Sequence, residues 1–190
     1  RIQAFPLTDA LRLAGFQTAS ILTSTGFVTA DYVLWPAAAQ FILFFLMFIG
    51  ASSGSTGGGI KVIRIVTLFK QGYNEMKRLL HPRGVFTIRL NKKTERKDII
   101  YSVTGFVFLY LLVVFITALV TASGGYDIQT SFSAALATVG NIGPGFGGVG
   151  PTLNYAAFPD YIKIVQCFAM LVGRLEVFTV LILFTPYYWK

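Results

Sequence analysis

In Thr23-Ser24-Thr25-Gly26-Phe27 the useful chemistry would belong to the backbone. Small hydroxyl side chains and a glycine leave main-chain carbonyls uncovered. Rings of such oxygens can replace the hydration shell of a cation. Glycine helps because it adopts conformations closed to other residues. The ligands here would be the carbonyls of Ser24, Thr25 and Gly26, with Thr23 at the inner mouth. A second loop offers the same chemistry in two registers, Thr138–Gly140 or Asn141-Ile142-Gly143. The second register is preferred, because Pro144 then starts the exit loop and fewer extra residues separate the glycine from Pro159. The bland alternative for each loop is a glycine turn before a helix.

A different chemistry is suggested between Gly50 and Gly59. Gly50, Ala51, Ser52, Ser53, Gly54, Ser55, Thr56, Gly57, Gly58 and Gly59 contain no large or charged side chain. The stretch follows an apolar run, Pro36 to Ile49, which as a helix would be about 21 Å long at 1.5 Å per residue. The break would then fall inside a bilayer core of about 30 Å. Unwound backbone at that depth must be buried in protein or line water. A Ser/Thr/Gly loop can satisfy its own amides and still move, so Gly50–Gly59 reads as an intramembrane gate; a flexible linker is the alternative. It is not a phosphate-binding Walker loop, because Ile60 separates Gly59 from Lys61 and Val62 follows. Arg174 stands at the same depth in a later apolar run, where a charge is costly. It is assigned to the pore side, facing the loop, with a structural ion pair as the alternative. Glu176 is assigned a partner on a neighbouring helix or loop.

Composition says what must hold these loops. The chain has 190 residues, 54% hydrophobic and only 13% charged, with mean hydropathy +0.65. Soluble domains carry about a quarter charged residues, so a helical membrane protein is indicated. Lys61 to Lys97 holds 11 of the 16 Lys and Arg residues, and 98–162 holds none. That asymmetry follows the positive-inside rule. It puts residues 61–98 and the C-terminus in the cytoplasm and Gly124–Phe158 outside, in a multi-pass protein of the cell's inner (plasma) membrane. The net charge of +8 therefore does not argue for nucleic acid. Cys167 lies alone in an apolar run, and there is no Cys/His cluster for zinc. No acid/base or nucleophile constellation supports an enzyme. Residue 1 is Arg, with no signal-peptide pattern behind it, so the chain reads as part of something longer.

The expected elements repeat. Ile100–Ala122 and Ile162–Phe184 are long enough to span a bilayer. Leu7–Leu22 and Asp127–Val139 are short and polar, which fits re-entrant half-helices buried in protein, or surface helices. Each is followed by a glycine loop and then an apolar helix. Phe45–Gly50 (FLMFIG) lies over Phe168–Gly173 (FAMLVG) at equal distances from Pro36 and Pro159. Short helix, loop and inner helix make up the pore module of potassium channels, in which the helix C-terminus directs partial negative charge at the ion. The fold expected is an all-α integral membrane protein. It has two repeats of outer helix, re-entrant pore helix, filter loop and inner helix. The first outer helix would precede Arg1, and the first inner helix is broken by the Gly-rich loop. Residues 1–80 form the earlier module, 81–98 a basic cytoplasmic loop that is either simply solvated or a docking segment, and 99–190 the later module.

Four stretches together, FQTASILTSTGFVTADYVLWP, GASSGSTGGGIKVIR, GNIGPGFGGVGPTLNYAAFPD and MLVGRLEVFTVLILFTPYYW, resemble the TrkH potassium-uptake proteins of the TrkH/KtrB/HKT superfamily. The resemblance covers nearly the whole chain, and the combined order is specific. It implies four pore modules around one pore, of which this chain matches the third and fourth. It implies potassium as the ion, held by Ser24, Thr25, Asn141 and Ile142, and no organic cofactor. It also implies the remaining two modules on the same polypeptide, a homodimer in the lipid bilayer, and a cytoplasmic RCK-type nucleotide-binding ring (TrkA-like) as regulator. Asn141-Ile142 departs from the Thr-rich triplet usual before the filter glycine. A non-transporting membrane scaffold is the competing function.

Overall fold

The computed structural model describes residues 6–189, apart from 53, 56, 85, 91, 92, 95 and 96. Helix α1 (Leu7–Leu22) leads through a loop and a 3-10 turn (Tyr32–Leu34) to α2 (Ala37–Leu46). Two short strands, β1 (Ile49–Gly50) and β2 (Ile60–Lys61), bracket the glycine stretch and precede α3 (Val62–Leu80). A small hairpin, β3 (Arg89–Leu90) and β4 (Lys93–Thr94), leads to α4 (Lys97–Ala122). Then come α5 (Ile128–Val139), 3-10 turns at Gly147–Val149 and Tyr155–Ala157, α6 (Asp160–Arg174) and α7 (Val177–Ile182).

The half-helices start and stop for local reasons. Asp127 caps α5 by accepting from the Thr130 amide at 3.0 Å. Hydrogen bonds from the Thr130 side chain and amide hold its carboxyl below the usual carboxylate range. Pro6, Pro36 and Pro159 precede α1, α2 and α6, where a missing amide is harmless. Of the described helices, one, Ile99–Ala122 within α4, is long and apolar enough to cross a membrane.

α5 lies at the centre. It packs on α4 and α6, and nine of its residues are buried. Leu136 and Val139 join Phe106, Tyr110 and Val114 of α4 and Ala169 and Val172 of α6 in one apolar core. The polar residues of α5 serve the loop that follows it. Ser133 Oγ donates to the Phe146 carbonyl (2.9 Å) and accepts from the Phe146 amide (3.0 Å). Thr130 Oγ1 accepts from the Gly148 amide at 2.8 Å. α1 works in the same way: Ser20 Oγ donates to the Phe27 carbonyl at 2.7 Å, and Gln17 Nε2 to that of Ala30 at 3.2 Å. Buried hydroxyls and amides thus pair with the chain as it turns back.

Two expectations need correction. The expected helix through Ile162–Phe184 is broken: α6 ends at Arg174, Glu176 has φ +65°, and α7 starts anew at Val177. The turn brings the Glu176 carboxylate to two cations, as described below. α2 stops at Leu46, short of the expected Ile49. Its last turn gives way to strand pairing, with Ile49 beside Ile60 and Gly50 beside Lys61. The chain is mostly helical, consistent with the all-α class expected, and the short pair β1 and β2 closes the base of the glycine stretch.

Candidate functional site

The two loops meet at the C-terminal ends of α1 and α5. Neither helix has a basic residue in its last turn. The partial negative charge of each terminus, about half an elementary charge, is therefore left unneutralised on the loop side. Beyond each helix the chain repeats one pattern of hydrogen bonds. The amides of Thr23, Ser24 and Thr25 donate to the carbonyls of Ala19, Ile21 and Ser20. Those of Gly140, Asn141 and Ile142 donate to Leu136, Thr138 and Ala137 in the same order. The dihedrals repeat too: Ser24 (φ +54°) and Gly26 (φ +74°) have their counterparts in Asn141 (φ +54°) and Gly143 (φ +106°). In this geometry Gly143, and not Gly140, stands in the place of Gly26.

The loops are in contact. A Cβ added to Gly26 would overlap the carbonyl oxygen of Ile142 and lie 3.3 Å from Cδ of Pro144. Only a glycine permits that approach, and the positive φ asks for one as well. Thr23 and Thr25 join their hydroxyls at 2.6 Å, and Thr23 Oγ1 donates to the Ala19 carbonyl at 2.7 Å.

The glycine stretch packs against both loops. A Cβ on Gly57 would lie 3.5 Å from Ser24 Oγ, and one on Gly58 would overlap the Gly140 carbonyl. The base is equally tight: a Cβ on Gly50 would overlap the Gly58 oxygen, and Gly59 has φ +79°. Gly58 and Gly59 are buried, while Ser52 and Gly54 are exposed. Ser55 closes a turn, its Oγ donating to the Ser52 carbonyl at 2.8 Å. The expected gate residues Ser53 and Thr56 lie outside the described residues. Gly173 packs on the Val139 carbonyl, and Asn141 Nδ2 donates to the Met170 carbonyl at 3.0 Å. Asn141 therefore ties the second loop to α6.

Comparison with known proteins decides the family. The family described as "TrkH: Cation transport protein" matches residues 2–190. The chain belongs to the TrkH family. The Trk system potassium uptake protein TrkH of Vibrio parahaemolyticus is 44% identical over 182 residues, 96% of this chain and 37% of that protein. TrkH of Escherichia coli K12 is 42% identical over 177 residues, 93% of this chain and 36% of that protein. The crystal structure of the potassium transporter TrkH from Vibrio parahaemolyticus superposes with TM-score 0.89 at 42% identity, over 98% of this chain and 40% of that one. The chain thus spans well under half the length of the TrkH relatives it matches. The family is one of membrane cation transport proteins, not enzymes.

In this TrkH-family chain Arg174 ends α6, directly after Gly173, and is exposed. Its side chain makes no hydrogen bond or ion pair with a described residue. Glu176 has the neighbouring-helix partner expected for it. Its carboxylate accepts from Arg64 Nη2 at 2.9 Å and lies 3.5 Å from Lys61 Nζ. Lys61 also donates to the Ser55 carbonyl at 3.1 Å, and the Arg64 guanidinium stacks 3.8 Å over the Phe106 ring. Sequence reasoning missed these two cations as a unit. The available signal was two cations just beyond the glycine stretch, which needed a counter-charge that Glu176 could supply.

Breaking that tie has a predictable cost. Glu176→Gln leaves Lys61 and Arg64, whose side chains are only 17% and 19% exposed, beside a neutral amide. Stability should fall by about 1–3 kcal/mol, toward the lower end because the Glu176 side chain is itself 40% exposed. Thermal unfolding in detergent measures it; an unchanged midpoint would make the tie energetically idle.

Proposed function

We propose that this chain supplies two of the four pore modules of a potassium transporter. The observation that carries the reading is the pair of half-helices meeting at two loops of matching geometry, in a chain of a cation transport family. Residues 1–80 and 99–190 are the modules, and 81–98 is a basic cytoplasmic connection. The ion is a dehydrated potassium held by main-chain oxygens of Ser24, Thr25, Asn141 and Ile142, with Thr23, Gly26 and Gly143 completing the filter segments. Carbonyl dipoles and the two helix C-termini stabilise its charge together.

The stretch Gly50–Gly59 is the gate beneath this filter, and Arg174 is its electrostatic part. Two observations support the placement: the packing of Gly57 and Gly58 against the filter loops, and the position of Arg174 directly after Gly173. The remaining modules, a homodimer, and a cytoplasmic RCK-type nucleotide-binding ring belong to the same reading and rest on the family. The exposed apolar residues Phe69, Leu79 and Leu80 of α3 are consistent with further partners.

Potassium flux into liposomes tests the reading. The complete polypeptide should carry potassium in preference to sodium. The isolated 190-residue chain should carry none, because two modules enclose half an axis. No flux from the complete protein would favour the scaffold reading. Selective flux from the 190-residue chain alone, with two-fold assembly excluded, would sink the four-module arrangement.

A further inference from the structure

The chain returning from each loop carries a tyrosine at a matching place. Tyr32 stands ahead of Pro36 by the same spacing as Tyr155 ahead of Pro159. Each opens a 3-10 turn, and each turn is capped alike. Asp31 Oδ1 accepts from the Val33 amide at 3.0 Å, and Asn154 Oδ1 from the Ala156 amide at 2.9 Å. Each turn also closes alike, Trp35 N bonding Tyr32 O and Phe158 N bonding Tyr155 O, both at 3.2 Å. The six extra residues between Gly143 and Pro159, against Gly26 and Pro36, are therefore absorbed before Asn154.

Both hydroxyls end on one strand of backbone, the exit from the second loop. Tyr155 Oη donates to the Gly143 carbonyl at 2.7 Å. Tyr32 Oη donates to the Gly145 carbonyl at 2.9 Å. Tyr32 comes from the other module, is fully buried, and stands edge-on to Phe146 at 5.1 Å. Ser133 grips the amide and carbonyl of Phe146. The strand is thus held from its own module by Tyr155 and Ser133, and across the module boundary by Tyr32.

We propose that Tyr32 and Tyr155 are positioning residues for the outer end of the filter, and that their hydroxyls set its preference for potassium over sodium. The proposal rests on the reading of Ser24–Gly26 and Asn141–Gly143 as filter segments. A filter distinguishes the ions through the number, spacing and orientation of its carbonyls. Gly143 has φ +106° and no side chain to restrain it, so its peptide plane is free to turn unless something holds it. The Tyr155 hydroxyl fixes the Gly143 oxygen. The oxygens of Asn141 and Ile142, two peptides and one peptide earlier, keep their direction because the strand beyond them cannot rotate. Tyr32 fixes the same strand further out. The departure at Asn141-Ile142 is thereby offset by restraint from outside the triplet.

The test uses the full-length protein and three variants, Tyr155→Phe, Tyr32→Phe and Gly26→Ser. Phenylalanine keeps the ring and removes only the hydroxyl. The readout is the potassium-to-sodium permeability ratio from reversal potentials in planar bilayers, beside the thermal midpoint in detergent. Tyr155→Phe should lower the ratio about tenfold, since one lost hydrogen bond of about 1.4 kcal/mol corresponds to that factor. Tyr32→Phe should lower it less, because it acts two residues further out. Should the buried Tyr32 variant fail to fold, Tyr155→Phe decides alone. If Gly26→Ser lowers the ratio and Tyr155→Phe does not, the tyrosines only stabilise the fold and the proposal is overturned while the filter stands. If Gly26→Ser also leaves the ratio unchanged, the filter reading fails and the proposal goes with it.

Discussion

Gly26→Ser in the full-length protein should cost at least about tenfold in preference for potassium over sodium, equivalent to about 1.4 kcal/mol. Two effects act together. Gly26 has φ +74°, a conformation costing a side-chain-bearing residue of order 1–3 kcal/mol. Its new Cβ would also overlap the Ile142 oxygen, and that atom is main chain, so it cannot rotate aside. The Thr23–Phe27 loop must retreat from the Asn141–Gly143 loop, or the Ile142 peptide must turn. Either change displaces a proposed ligand. Gly26→Ala should behave the same way, which would separate steric from hydroxyl effects. Reversal potentials in mixed potassium and sodium solutions give the ratio directly. An unchanged ratio in a folded variant would remove Gly26 from the filter.

Shortening the glycine stretch should raise flux, again by about tenfold. Deleting residues 52–57 leaves only Ala51, Gly58 and Gly59 between Gly50 and Ile60, too few to cross between parallel strands, so the β1–β2 pairing that closes the base opens as well. It removes Gly57 from beside Ser24 and withdraws the loop from beneath the filter. Arg174→Ala should raise flux by a smaller factor, because it removes a fixed positive charge without widening the path. Selectivity should be largely retained in both, since neither change alters a residue of the filter loops, although the deletion removes the packing of Gly57 beside Ser24. If both act on one barrier, the combined variant should gain less than the two single gains added in free energy. Potassium uptake into liposomes at matched protein density measures all three. If neither single change raises uptake, the stretch is a linker and Arg174 a structural charge.

Much of this arrangement was legible because the relevant signals are local. Leu7–Leu22 could be bounded from the sequence as helix α1, and Asp127 could be placed at the start of α5, since prolines, caps and glycines punctuate short helices clearly. The family was legible from four motifs in a fixed order. The breaks were harder. An uncharged run gives no sign of where a helix ends when strand pairing takes over its hydrogen bonds, as happens beyond Leu46. Glu176 gave no warning of a break either. Its partners, Arg64 and Lys61, lie over a hundred residues away in sequence, and no local propensity encodes that meeting. The electrostatic role proposed for Arg174 needs no bond from its side chain to the loop. The tyrosine hydroxyls were invisible for the same reason as the breaks: a phenol ahead of a proline says nothing about which carbonyl it will reach.

The tie between Arg64 and Glu176 also has a mechanical meaning. Lys61, where the glycine stretch is closed, is the N-cap of α3, which runs from Val62 to Leu80. Arg64 is pinned one turn along it, between a carboxylate and an aromatic ring. At 1.5 Å per residue, about 5 Å of helix lies before that pin and about 24 Å beyond it. A rigid rod pivoted there is a lever with arms in a ratio of about five. If α3 turned about that pin as a rigid body, a weak push on Leu79 or Leu80, spread over several ångströms, would arrive at the base of the glycine stretch as a short, forceful stroke.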